Sequence, residues 1–365
     1  MKRQVIFITV FFLFLKVNFA QNIEKKNPKI VLITVDGLRW QELFTGADSL
    51  LVSNKEYVKD TMGLKGHFWK ESALKRRQAL MPFIWKEVVK IGQIHGNRKL
   101  GSKVDLTNKM WFSYPGYNEI LSGIADDKRI KSNAKMNNPN KTVLELVNVT
   151  SNYTGKVAAF GSWDVFPYII NEERSGVLVN AGFELAKGEN LTQREQFLNE
   201  LQPTIPSPWG SVRLDAFTHH YAMEHMKKRH PELIHIAYGE TDDFAHDGDY
   251  EAYLKSTNTT DNFIKQLWEY TQEDPFYKNN TVFLIATDHG RGTDPLDTWR
   301  SHGSEIKGAG GVWFIAFGNR INPLGEVSIK EQLFSNQIAP TILELLDVEG
   351  SPQEKYNKPL SLFNN

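Results

Sequence analysis

The chain has no cysteine. That excludes disulfides, thiolate metal sites and lipid attached through cysteine. Any metal must be held by imidazole and carboxylate groups. The chain also has no net charge, with 43 basic residues against 43 acidic ones. A broad basic face is therefore excluded, and nucleic acid is not expected as a main partner. The N-terminal apolar run, residues 5–15, has eleven residues where about 20 are needed to cross a bilayer. It follows Lys2 and Arg3 and precedes the small residue Ala20, which is the pattern of a signal peptide over residues 1–20. Its removal takes Lys2, Arg3 and Lys16, leaving 40 basic against 43 acidic residues and no stable membrane span. The expectation is a bacterial protein of the periplasm or the medium.

What is present is enough apolar and aromatic material for a sizeable core in 365 residues. Residues 29–35 form a nearly continuous apolar run, which is how a strand buried on both faces of a parallel sheet reads. Similar runs recur at 156–160, 233–238, 281–286 and 312–317. Between them lie helical patterns at 68–91, 142–147, 214–228, 250–271 and 329–346, with Pro82 placed near a helix start. Alternating strands and helices predict an α/β fold, a mostly parallel central sheet flanked by helices. Residues 28–350 are expected to be one catalytic domain. Residues 160–210 read as a small irregular cap or insertion.

In such folds chemistry collects at the carboxyl ends of the strands. Asp36 follows the first strand and precedes Gly37, as a metal ligand or as a helix cap. Asp242 and His246 stand four residues apart and share a face on a helical turn, as chelators or as a solvated ion pair. Asp288 and His289 end an apolar strand and precede Gly290, which lets the backbone turn where side chains converge. Both residue types are standard zinc ligands. His302 beside Gly303 is a loop histidine that gains weight from the others. Ser113 precedes Tyr114, Pro115 and Gly116, where a helix starts. A serine there caps a helix or sits where backbone donors attract phosphate. No Gly-x-Ser-x-Gly elbow surrounds it, so activation by metal replaces activation by a base.

This ordered set resembles the alkaline phosphatase superfamily from about residue 30 to residue 348, closest to its type I phosphodiesterase/nucleotide pyrophosphatase and bacterial alkaline phosphatase branch. The segment from Ser113 to Gly123 is similar to its nucleophile segment, and residues 337–346 to its C-terminal helix. The resemblance implies a three-layer α/β/α fold and two zinc ions. Asp36, Asp288 and His289 would hold one zinc together with the oxygen of Ser113. Asp242, His246 and His302 would hold the other. Ser113 would attack phosphorus in a small-molecule phosphate ester, giving a seryl phosphate that water hydrolyses. Asn133 stands at the spacing of the asparagine that binds a nonbridging oxygen in the diesterase branch, with Asn137 and Asn138 as competitors.

Gly116 and Tyr117, not an arginine, follow Pro115, which disfavours the sulfatase branch. Glu240 does not suffice to trace a third, magnesium site. Monoester and diester preference stay open, as do a sulfatase or phosphomutase of the same superfamily and a metal-binding, non-enzymatic relative. The leaving group is expected to meet residues 39–48 and 162–174, where Trp40, Phe44, Trp163, Phe166 and Tyr168 are either stacking groups or core.

Overall fold

The computed structural model describes residues 27–363. The signal-peptide reading of residues 1–20 lies outside the described residues. Among the described residues, no helix is long and apolar enough to cross a membrane.

The strands are β1 (Lys29–Val35), β2 (Gly92–His95), β3 (Ser102–Asp105), β4 (Val157–Gly161), β5 (Leu178–Ala181), β6 (Leu233–Tyr238), β7 (Thr281–Ala286), β8 (Gly311–Val312), β9 (Phe314–Gly318), β10 (Gly325–Glu326) and β11 (Glu331–Phe334). Eight form one sheet in the order β10-β2-β9-β7-β1-β6-β4-β5, and β11-β3-β8 form a small second sheet. β1 lies between β7 and β6 and is parallel to both. β9 runs antiparallel to β7 and to β2. The expected mostly parallel sheet flanked by helices is therefore present.

The continuous apolar runs are explained by burial on two faces. Val31, Ile33 and Val35 of β1 enter one core, and Ile30 and Leu32 enter the other. The helices Asp215–Arg229 and Tyr250–Glu273 cover the first face through Phe217, Tyr221, Tyr253 and Leu267. The helices Ser113–Ser122, Val143–Asn148 and Ile338–Leu346 cover the second through Tyr117, Ile120, Val143 and Ile342. Each helix removes its apolar stripe from water against the sheet, which is the main stabilising term.

Several expected elements differ. Residues 68–91 are not one helix. A helix ends at Phe68, a second spans Ala73–Leu80, and a wide turn at Ile84–Val88 leads into Val89–Ile91. Ser72 caps the second helix by accepting from the Lys75 amide at 3.3 Å. Pro82 lies in the break, where its missing N–H costs nothing, and Asp261 accepts from the Phe83 and Ile84 amides at 2.8 and 3.0 Å. Residues 329–346 are helical only from Ile338, because Glu331–Phe334 pairs with β3. Glu331 is held there by the His95 ring at 2.6 Å and the Ser102 hydroxyl at 2.9 Å. The run 312–317 divides between the two sheets, and its larger part is antiparallel. The segment 160–210 is more regular than a loose cap, since Leu178–Ala181 is the edge strand of the main sheet and Gln193–Leu201 is a helix with a capping box.

Candidate metal centre

The site stands where β7, β1 and β6 end side by side. Asp36 follows β1, Asp288 and His289 follow β7, and the helix Glu240–His246 that carries Asp242 follows β6. Parallel pairing in register brings these three exits to one edge. The helix Ser113–Ser122 aims its N-terminus at the same point. Gly116 permits this approach, since a Cβ there would lie 2.2 Å from the Asp288 carbonyl oxygen. Gly37 turns the chain after Asp36 with φ +58°, and a Cβ there would meet Asp242 Oδ1 at 2.6 Å.

Asp36, Ser113, Asp288 and His289 are all buried. Each carboxylate has one oxygen fixed. Tyr117 donates to Asp36 Oδ2 at 3.0 Å, and the Gly37 amide donates to Asp288 Oδ1 at 3.1 Å. The other two oxygens, Asp36 Oδ1 and Asp288 Oδ2, have no hydrogen-bond partner among the described residues. They face His289 Nε2 at 3.3 and 3.5 Å, and Ser113 Oγ stands 3.4 Å from the same nitrogen. A tetrahedral cation with bonds of about 2.1 Å requires ligand separations of roughly 3.4 Å, which the three distances from His289 Nε2 match. His289 Nδ1 faces the Gly290 carbonyl at 3.0 Å, which leaves Nε2 to the cluster.

A second group lies alongside. His246 Nε2 is 3.2 Å from Asp242 Oδ2 and 2.9 Å from His302 Nε2, and His302 Nε2 is 3.8 Å from Asp242 Oδ1. Asp242 Oδ1 also reaches His289 Nε2 at 3.6 Å, and Asp242, His289 and His302 form a convergent ligand group of their own. His289 thus stands between the two groups. His246 is the most exposed member and closes the cluster from the solvent side.

The charges suit a cation. Burial pushes the Asp288 carboxyl well above its usual range, and the neighbouring Asp36 charge adds to this. Burial lowers the His289 imidazole, but the charges of Asp288 and Asp36 override it and raise it to about 9. Burial, with the charges of His289, Arg291 and His246, drives His302 far below its ordinary value, so it is neutral with lone pairs available. Behind the cluster, burial first and then neighbouring carboxylates raise Glu240 and Asp243 to about 8 each.

Asn133 stands at the start of the Ser113 helix, where its Oδ1 accepts from the Tyr114 amide at 3.0 Å. Its competitors do not. Asn138 is buried and donates to Asn118 and to the Ile169 carbonyl, and Asn137 reaches Glu173. Of the five aromatic residues expected at a rim, Phe44 and Phe166 are core. Trp163 and Tyr168 pack partly against the core, and Trp40 lines a groove beside the site.

Three contributors carry no motif. Arg291, fully buried, forms a close ion pair with Asp242 and donates to the Gly37 carbonyl at 3.2 Å. Tyr117 orients Asp36, and Thr241 donates its hydroxyl to the Asp36 carbonyl. Only the spacing of Tyr117, one helical turn after Ser113, could have placed it on the same side.

Comparison with known proteins bears on the fold. Wild-type alkaline phosphatase PafA superposes with a TM-score of 0.56, at 11% identity, over 93% of this chain and 99% of that one. The fold is that of the alkaline phosphatase superfamily. A protein in this superfamily from Vibrio parahaemolyticus superposes at TM-score 0.50 and 12% identity, covering 92% of this chain and 71% of its own. The soluble domain of lipooligosaccharide phosphoethanolamine transferase A from Neisseria meningitidis superposes at 0.55 and 11%, covering 92% of both. Residues 185–350 match the model of the Metalloenzyme superfamily, and this stretch contains Asp242, His246, Asp288, His289 and His302. A 2,3-bisphosphoglycerate-independent phosphoglycerate mutase from Ureaplasma urealyticum serovar 10 is 32% identical over 121 residues, which is 32% of this chain and 22% of that protein. The chain thus spans about a fifth of that curated relative's length. Proteins with the alkaline-phosphatase fold thus include a phosphatase and a transferase, and divalent metal binding accords with the family model and the clustered ligands.

Proposed function

We propose that this chain is an exported phosphoric-ester hydrolase that works on two zinc ions through a seryl-phosphate on Ser113. The observation that carries the reading is the convergence of Asp36 Oδ1, Asp288 Oδ2 and His289 Nε2 around Ser113 Oγ, with both carboxylate oxygens otherwise unpartnered. Asp36, Asp288 and His289 hold one ion beside Ser113, and Asp242, His246 and His302 hold the other. When bound, the ions supply Lewis-acid charge that favours an ionised oxygen nucleophile and neutralises phosphate oxygens. Ser113 Oγ attacks phosphorus as the bond to the leaving oxygen breaks. Water then cleaves the seryl phosphate and restores the hydroxyl. The side-chain amide of Asn133, held at the helix N-terminus, donates to a nonbridging oxygen. Residues 28–350 act as one catalytic domain, and residues 1–20 direct export.

The test uses zinc-loaded protein with 4-nitrophenyl phosphate and bis(4-nitrophenyl) phosphate. Ser113→Ala is expected to lose turnover by at least a thousandfold while keeping its thermal transition. Full activity in purified Ser113→Ala would sink the nucleophile assignment, and the rate ratio of the two esters sets monoester or diester preference. The stretch similar to a phosphoglycerate mutase favours one second reading, a phosphomutase. A mutase would isomerise a phosphorylated substrate without releasing inorganic phosphate, so a phosphate-release assay separates the two.

A further inference from the structure

A groove of about 550 Å³ lies beside the nucleophile turn, lined in part by Trp40, Gln41, Arg98, Lys109, Trp111 and Lys307. Its size suits a sugar or a single aromatic ring. We propose that this groove is the leaving-group pocket, that Trp40 and Trp111 receive a flat leaving group, and that Lys109 and Lys307 select one carrying its own negative charge. The proposal rests on the phosphoester reading above and names its substrate class.

Trp111 ties the groove to the chemistry. It lies two residues before Ser113 and has a left-handed backbone, φ 52°, which a bulky residue rarely adopts. Such a conformation persists only where the surroundings impose it. Here Asn108 Oδ1 accepts from the Met110 and Trp111 amides at 3.1 and 3.0 Å. Glu119, buried on the nucleophile helix, in turn accepts from the Asn108 amide and side chain, both at 2.8 Å. The Trp111 indole lies against the backbone of Gly310, where an added Cβ would come within 2.7 Å of Nε1. One residue therefore belongs to the turn that leads into Ser113 and lines the groove with its ring.

The residues of the groove differ in how they are held. Trp111 Nε1 and Gln41 Oε1 are shielded from solvent and have no hydrogen-bond partner among the described residues. Gln41 is held through its other atom, which donates to Thr293 at 2.7 Å. Arg98 is neutralised by its pair with Asp105. Lys109, Lys307 and Asp294 line the groove with no ion-pair partner among the described residues, so it keeps one net positive charge. An indole face receives a planar ring, and an ammonium rim favours an anion on it.

The experiment compares kcat/KM of zinc-loaded full chain for methyl, phenyl and 4-carboxyphenyl phosphates. The double variant Lys109→Gln/Lys307→Gln is expected to lower the carboxyphenyl-to-phenyl ratio at least fivefold. Trp111→Gly, which suits the left-handed backbone, is expected to lower the phenyl-to-methyl ratio at least tenfold, through KM. A second measurement needs no turnover: 4-hydroxybenzoate is titrated into the protein and followed by tryptophan fluorescence, with quenching expected in the native chain and at least a fivefold weaker apparent affinity in both variants. Turnover whose ratios move less than twofold in the variants overturns the pocket and leaves the phosphoester reading standing. If no ester turns over, the titration decides alone, and quenching that is absent or equal in all three proteins overturns the pocket.

Discussion

Tyr117 donates its phenolic hydrogen to Asp36 Oδ2 at 3.0 Å. This single bond joins the helix that begins at Ser113 to the carboxylate that ends β1. The phenol is fully buried, and burial, with the charges of Asp36 and Asp288, keeps its proton firmly in place. Asp36 is thereby left with one oxygen, Oδ1, to offer the cluster. The proposed nucleophile helix and the proposed ligand share one contact, so a shift of either is felt by both.

Tyr117→Phe keeps the ring that packs on Phe166 at 4.7 Å between centroids and removes only the hydroxyl. Zinc affinity is expected to fall by about 10–100-fold, the usual cost of losing an outer hydrogen bond to a ligand. Competition with a chelating dye measures it. Unchanged affinity in a folded variant would show that the phenol does not orient Asp36.

Arg291→Met tests whether Asp242 is a ligand. Removing one partner of a buried ion pair costs about 3–5 kcal/mol, because a charge is left uncompensated. In metal-free protein, urea unfolding is expected to show a loss of that order. A bound cation supplies the missing positive charge, so saturating zinc is expected to narrow the gap between native and variant chains. An equal gap with and without zinc would count against ligation by Asp242.

The parts of fold and site that were legible are those in which burial writes a long pattern. β1 and β7 read as strands because all of their residues are buried between two helical layers. The carboxylates and the histidine at their ends were legible because an apolar strand has few uses for Asp-His at its exit. Short strands gave little signal: β2 and β5 have four residues each, too few to set a period. β11 was hidden because its residues are only partly buried and continue into a helix. Arg291 and Trp111 were illegible for another reason. Arg291 acts through Asp242, 49 residues away in the chain, and Trp111 through a backbone conformation that no side-chain type announces.

Zinc binding is expected to expel protons. In the metal-free protein His289 is held protonated up to about 9, chiefly by Asp288 and Asp36 acting against burial. Ligation through Nε2 requires the neutral ring. Below pH 9 the bound proton must therefore leave, and apparent affinity should rise by about tenfold per pH unit for each proton displaced, levelling off above it. Calorimetric titration at pH 7.5 in buffers of different ionisation enthalpy is expected to show release of at least one proton. No release would place the cation away from His289.

Far from the cluster, Asp261 makes native stability depend on pH. Burial raises its carboxyl from 3.8 to about 7, although it accepts from the Phe83 and Ile84 amides. Between those two values the native chain binds more protons at this site than the unfolded chain does, so this group's contribution to stability falls as pH rises. The loss is complete above about 7 and amounts to at most about 4 kcal/mol. Asp261→Asn cannot titrate, and it lacks the second acceptor oxygen at every pH. The stability of the native chain relative to Asp261→Asn is therefore expected to decline from pH 4.5 to pH 7.5, as read by urea unfolding at several pH values. A relative stability that rises with pH would mean that the two amide hydrogen bonds outweigh burial and hold the carboxyl below its ordinary value.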